Sequence, residues 1–217
     1  MKALIINFNR ITLPVAMANW LNSHGVEPIF IDNGSDYPLL IEYYASLCPY
    51  KVVHLGANYG HTAVWNPQLD LLNKLGINGR YIVTDPDLDL SGIPDDFIEV
   101  LDDGLDRYPQ FDKCALSLEI NDLPNSEEGN FIRGHEAKYW KSPLDDKYFH
   151  ADTDTTFALY RAGINRYSYS AIRTNRPYTC KHVPWYYLDF ESLSEEDKYY
   201  FNSANESSSG KIRLCNK

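Results

Sequence analysis

Two carboxylates spaced one residue apart at the end of an apolar strand can hold a divalent cation, and this 217-residue chain carries three Asp-x-Asp pairs, at 85/87, 87/89 and 152/154. With 19 Asp in the chain, chance alone supplies roughly two such pairs, so spacing by itself decides nothing. Placement separates Asp85-Pro86-Asp87 from the rest. Tyr81 to Thr84 reads as a strand that runs straight into Asp85, and Pro86 forces Asp85 into an extended conformation. Carboxylate oxygens so placed suit Mn²⁺ or Mg²⁺, which take few protein ligands and complete their shells with waters and substrate phosphates. The competing structural reading is an Asp-rich turn that caps a helix near Ile93.

Three further positions acquire meaning beside that motif. Asp32 ends a second strand, where its carboxylate could accept the N3–H of a uracil; its plainer role is to hold the Asp32-Asn33-Gly34 turn. His182 follows a strand-like run and precedes Val183-Pro184-Trp185, so its imidazole could be a third ligand for Mn²⁺ or a hydrogen-bonded structural residue. Trp140 and Trp185 could each offer a flat face to a sugar ring or pack in the interior.

The elements that must position these groups alternate between strand and helix, the signature of an α/β fold with a mainly parallel sheet flanked by helices. Ala3 to Phe8, Pro28 to Ile31, Lys51 to Leu55 and Tyr81 to Thr84 read as strands, with a helix entered near Pro14 and closed at Gly25. Polar loops follow the second, third and fourth strands: Asp32 to Ser35, Gly56 to Gly60 and Asp85 to Asp89. In open α/β sheets ligands bind outside such carboxyl ends. Beyond residue 100, Cys114 to Leu118 reads as a strand and Leu123 to Gly134 as a loop. Thr153 to Arg161 reads as a helix closed by Gly163, and Tyr167 to Arg173 and Tyr178 to His182 as later strands. Residues 1–100 and 101–202 read as two halves of one domain, which the resemblance described below implies to be a nucleotide-sugar half and an acceptor half. Residues 203–217, rich in Ser and Asn, read as a mobile tail or a linker to further domains of a longer polypeptide.

Composition narrows the partners. A hydrophobic content of 44% can bury a full core, while a net charge of −10 argues against nucleic acid or an anionic membrane. A bound phosphate would then need a metal to supply much of the positive charge. The four cysteines form no C-x-x-C pair, which points to a reducing, cytosolic compartment; if the resemblance to viral proteins given below holds, that is the host cytoplasm. No apolar run reaches the roughly 20 residues of a membrane span.

Taken together, the segments from Ala3 to about Trp185 resemble the GT-A class of nucleotide-sugar glycosyltransferases, especially its family 2. The resemblance rests on Phe8-Asn9-Arg10 after the first strand, the Asp32 to Ser35 turn, Asn58 and Gly60 followed by Asn66, Asp85-Pro86-Asp87, Asp152-Thr153-Asp154 and His182. Leu116 to Glu119, Asp122-Leu123-Pro124 and Tyr139-Trp140 also look like short viral and bacterial members, including those of large algal viruses. The resemblance implies a Rossmann-like GT-A sheet, with Phe8, Asn9, Arg10, Asp32, Asn58, Gly60, Asn66, Asp85 and Pro86 around the donor. It implies Asp85, Asp87 and His182 on Mn²⁺ or Mg²⁺, and an acceptor-side base at Asp152 or Asp154. The motif departs from the family pattern in that Ala151 stands where the usual Glu precedes Asp152, and the helix's usual Arg is displaced to Arg161.

The implied reaction moves a hexose or 6-deoxyhexose, rhamnose for example, from a UDP-sugar to a glycan hydroxyl, with inversion and Asp152 as preferred base. Two other classes compete. A catalytically inactive nucleotide- or glycan-binding module would share the same residues. A sugar nucleotidyltransferase needs a Gly-rich phosphate cradle, and Phe8-Asn9-Arg10-Ile11-Thr12 contains no Gly.

Overall fold

A computed structural model describes residues 1–204. The first hundred residues run β1 (Lys2–Asn7), α1 (Thr12–Ser23), β2 (Glu27–Asp32), α2 (Pro38–Ser46), β3 (Lys51–His54), α3 (Leu71–Lys74), β4 (Tyr81–Thr84), β5 (Leu88–Asp89) and the start of α4 (Phe97–Arg107). Strands β3, β2, β1 and β4 lie side by side and parallel. Their sequences explain the placement: β1 is buried from Ala3 to Asn7 and β2 from Pro28 to Asp32, the continuous burial of strands covered on both faces. Helix α1 turns Met17, Ala18 and Leu21 to the sheet, and α4 turns Phe97, Val100, Leu101 and Leu105, apolar positions that recur with the helical period. Gly104 lets α4 press close, since a Cβ there would stand 2.8 Å from Cys114 Sγ and from the Tyr148 ring.

The second half adds β6 (Lys113–Ala115), β7 (Ser117–Leu118), α5 (Glu127–Glu136), β8 (Tyr148–His150), β9 (Ala158–Tyr160), β10 (Ala171–Thr174), β11 (Thr179–His182) and α6 (Glu195–Ser203). Four of these strands extend the first sheet to eight in the order β3-β2-β1-β4-β9-β6-β10-β8, with β9 antiparallel to both neighbours. The fold is therefore α/β with a mixed, partly parallel sheet, and strands from both halves of the chain share it. A second sheet, β5-β11-β7, stands beside it. No helix among the described residues is long and apolar enough to cross a membrane.

Several expectations from the sequence are corrected. The segment 153–161 is no helix: it is irregular up to Phe157 and then strand β9. Thr153, Thr155, Thr156 and Phe157 favour extended backbone, and the Thr155 and Thr156 hydroxyls bond to Asp85 and Asp154 instead of facing solvent on a helix. Residues 123–134 are not all loop, because Ser126 caps α5 by accepting from Gly129 N at 3.0 Å and Glu127 and Glu128 sit in its first turn. The run 114–118 splits at Leu116 between the two sheets. The strand expected over 167–173 begins only at Ala171. Ile93 is buried ahead of α4, whose N-cap is Asp96, so Asp85 and Asp87 cap no helix there. Ser203 closes α6 rather than opening a tail, and residues 205–217 lie outside the described residues.

Candidate functional site

The carboxyl end of β4 opens onto a cleft of about 880 Å³ whose wall includes Asp85, Pro86, Asp87, Asp152, Asp154 and His182. Three separate stretches of chain deliver these side chains. Asp85 follows β4 and is tied to the 152–156 loop twice: its N–H donates to Thr155 O at 3.0 Å, and its Oδ1 accepts from Thr155 Oγ1 at 2.6 Å. Three residues on, β5 pairs antiparallel with β11, Leu88 opposite His182. That register sets His182 Nε2 3.6 Å from Asp87 Oδ1.

Charge is unevenly shared among these groups. Burial, followed by the negative charges of Asp154 and Asp87, lifts the Asp85 pKa well above the usual carboxylate range. Asp154 moves the other way. Desolvation of the carboxylate would raise it, although the residue is exposed like Asp152, but hydrogen bonds from Thr156 N and Oγ1, at 3.2 and 3.0 Å, and the charges of Arg173 and Lys113 hold it low. Lys113 is fully buried and bonds to Asp154 O and Tyr160 Oη; desolvation brings its pKa down to about 8. Asp152 projects into the cleft and is exposed, while its carbonyl accepts from Arg173 Nε and Nη2 at 2.9 and 2.6 Å. Arg173 is itself 4% exposed, paired with Glu136 at 3.3 Å and stacked on the Tyr139 ring at 4.0 Å.

The chemistry of the donor set decides whether a divalent cation fits. A carboxylate and an imidazole, Asp87 and His182, meet at the cleft wall and are ligands that Mn²⁺ accepts. Asp85 is turned to Thr155, and among the described residues no group of three His, Cys, Asp or Glu side chains is gathered to hold an ion. A pair of protein ligands with open positions fits an ion that substrate phosphates complete.

The expected donor-side residues do not share the cleft, apart from Arg10, Asp85 and Pro86. Asn9, in the left-handed region at φ 51°, accepts with Oδ1 from Asp36 N and Tyr37 N. Phe8 meets the Tyr200 ring edge-on at 6.5 Å. Asp32 is 3% exposed; His54 Nδ1 lies 3.3 Å from its Oδ2, and its Oδ1 has no hydrogen-bond partner among the described residues. Asn58 and Asn66 cap their own turns through Gly60 N and Gln68 N. The Asn58 loop is held to the β2 turn by Asn33, which bonds Tyr59 N and Gly60 O, and by Gly34, where a Cβ would fall 2.7 Å from Ala57 C.

Arg173, Lys113 and Glu136 belong to the site although no sequence motif singles them out. A charged residue inside an apolar strand, as in Ala-Ile-Arg-Thr and Lys-Cys-Ala, is the signal that marks the first two. Trp185 lines the cleft beside His182, with ring centroids 4.9 Å apart. Trp140 is packed elsewhere, between Arg176 and Phe149. Arg161 bonds the Leu105 and Phe111 carbonyls and stays out of the site. No family model matches the chain, and comparison with curated proteins finds no match either.

Proposed function

We propose that this chain is a metal-dependent glycosyltransferase of the GT-A kind, moving a hexose or 6-deoxyhexose such as rhamnose from a UDP-sugar to a glycan hydroxyl. The observation that carries the reading is the convergence of Asp85-Pro86-Asp87, His182 and the 152–156 loop, far apart in sequence, on one cleft at the carboxyl end of β4. Asp87 and His182, with Asp85 behind them, would hold Mn²⁺ or Mg²⁺. The bound ion would offset charge developing on the leaving diphosphate.

Asp152 is the preferred base. Its carboxylate is exposed in the cleft and its backbone is clamped by Arg173, so it can take the proton of an acceptor hydroxyl as that oxygen bonds to the anomeric carbon and UDP departs. Asp154 spends one carboxylate oxygen on Thr156. A single base implies inversion at the anomeric carbon. Release of UDP from a panel of UDP-sugars with Mn²⁺, with and without glycan acceptors, tests the activity. No release from any donor would refute it.

A second reading, a nucleotide- or glycan-binding module without turnover, draws support from the metal side, where Asp85 is turned to Thr155 and only Asp87 and His182 meet at the cleft wall. Saturable binding of UDP or glycan with no release of UDP would favour it.

A further inference from the structure

Arg10 is the most deeply buried cation on the cleft wall, 1% exposed. It follows β1 by three residues and is enclosed by the C-terminal helix α6. Its Nη1 donates to Asp197 Oδ1 at 2.6 Å, the Tyr187 hydroxyl donates to the same oxygen at 2.8 Å, and the guanidinium lies on the Tyr200 ring at 3.9 Å. That cage satisfies one edge of the fork. Nε and Nη2 find no hydrogen-bond partner among the described residues, and Nη2 stands 3.9 Å from Asp87 Oδ2, beyond hydrogen-bond reach.

A buried, permanently charged guanidinium with two N–H groups unmet is costly unless a ligand completes it. The position of the unmet edge says what the ligand is. It lies beside Asp87, which in turn faces His182, so an oxygen arriving there would be drawn by Arg10 and repelled by Asp87 unless a cation sat on the carboxylate. Phosphate oxygens suit both demands: they accept two N–H bonds from a guanidinium fork and can share a metal with a carboxylate.

We propose that the unmet edge of Arg10 binds phosphate oxygens of the donor diphosphate and that α6 is the device that holds Arg10 in place. The assignment deepens the glycosyltransferase reading and rests on it for the identity of the ligand, while the anion site itself does not. It also alters the charge balance drawn from composition, because this acidic chain supplies a protein cation of its own to the phosphates. Helix α6 is fastened to the loop that carries Arg10 at two points. The Glu196 carboxylate accepts from Ile11 N, Thr12 N and Thr12 Oγ1 at 2.6 to 3.2 Å, and Ser203 Oγ accepts from Asn9 Nδ2 at 3.0 Å.

The test uses inorganic pyrophosphate with Mg²⁺, so that a cation can sit on Asp87, titrated by calorimetry into the full chain, and UDP with Mn²⁺ in a parallel series. Arg10→Gln should weaken pyrophosphate binding by roughly tenfold or more, the worth of a charge-assisted hydrogen-bond pair. Arg10→Lys, a point charge without the fork, should fall between. Asp197→Asn removes the carboxylate that neutralises the guanidinium and should tighten pyrophosphate binding several-fold, a result independent of whether Arg10→Gln folds. Equal affinity in wild type and Arg10→Gln, no tightening in Asp197→Asn, or no binding by the wild type would each overturn the proposal. Pyrophosphate binding that follows this pattern while UDP with Mn²⁺ fails to bind would uphold the anion site and sink the glycosyltransferase reading. UDP binding indifferent to Arg10 would do the reverse.

Discussion

Asp85 Oδ1 accepts a 2.6 Å hydrogen bond from the hydroxyl of Thr155, seventy residues away, and this bond joins the loop after β4 to the loop that carries both candidate bases. The carboxylate so fixed is half-buried next to two other carboxylates, Asp154 and Asp87, and its pKa is raised, with desolvation the largest cause. A raised folded-state pKa means that the folded chain binds more protons than the unfolded one between about 3.8 and that higher value. Stability therefore falls as pH rises through this window, and the full penalty is present above it.

Asp85→Asn should accordingly stabilise the metal-free chain at pH 7, by about 1 kcal/mol, because the amide oxygen still accepts from Thr155 and no charge is buried. The advantage should shrink as pH is lowered toward 4. Urea denaturation of both chains at the two pH values checks the sign. The same variant should lose Mn²⁺-dependent UDP binding, the separation of stability from activity expected of a functional carboxylate. A variant that is destabilised at pH 7 would contradict the assignment of Asp85 as a strained group.

For the base, Asp152→Asn should leave UDP affinity close to wild type and lower transfer by roughly 10² or more. Asp154→Asn should also lower stability, since the carboxylate answers Thr156, Lys113 and Arg173. Calorimetry with UDP, initial rates and thermal denaturation separate the two residues. NMR assignment of the product linkage adds an independent check: retention of configuration would remove Asp152 from the role of sole base.

Much of the first half was legible because its signals are redundant. Tyr81–Thr84 is an uninterrupted apolar strand, and the strands before it recur with turn chemistry between them, so period and punctuation agree. The 153–161 stretch failed for a specific reason. Its residues are too few and too short in period to separate strand from helix, and the deciding partners, Asp85 for Thr155 and β4 with β6 for β9, are distant in sequence. The switch of sheets at Leu116 was illegible on the same ground, since Cys114 to Leu118 is apolar or small throughout and is buried in either sheet. The resemblance implied Asp87 and His182 on one ion; the register of β5 on β11 that sets them 3.6 Å apart was not legible in the sequence. Helix α6 carries its signal openly, Ser194 followed by Glu195, Glu196 and Asp197, yet nothing local says that it will close over Arg10.

Asp32 offers a test of the nucleotide. Its Oδ1 is buried without a hydrogen-bond partner among the described residues while Oδ2 faces His54, so a uracil N3–H, which cytosine lacks, would find an unmet acceptor there if the donor reaches past the cleft and the β2 turn opens to it. UDP should compete with a UDP-sugar far better than CDP does, and Asp32→Asn should erase the difference. Selectivity that survives the substitution would reassign Asp32 to holding the turn and His54.

The pair Arg173 and Glu136 separates folding from positioning. Both are nearly buried, at 4% and 6% exposure, and they meet at 3.3 Å. Removing one partner strands a charge in a low-dielectric setting, so Arg173→Met or Glu136→Leu alone should cost about 3–5 kcal/mol in urea unfolding. The double variant should recover most of that loss, because well-packed apolar residues of similar volume commonly replace a buried ion pair without penalty. Transfer should behave differently. Arg173 also donates two hydrogen bonds to the carbonyl of Asp152, and no Met can replace them. The double variant is therefore expected to fold, to bind UDP and Mn²⁺ as the wild type does, and to remain at least about tenfold slow in kcat, since a misplaced base loses rate with little effect on ground-state binding. Recovery of kcat together with stability would show that the clamp on Asp152 has no part in catalysis and that Arg173 serves the fold alone.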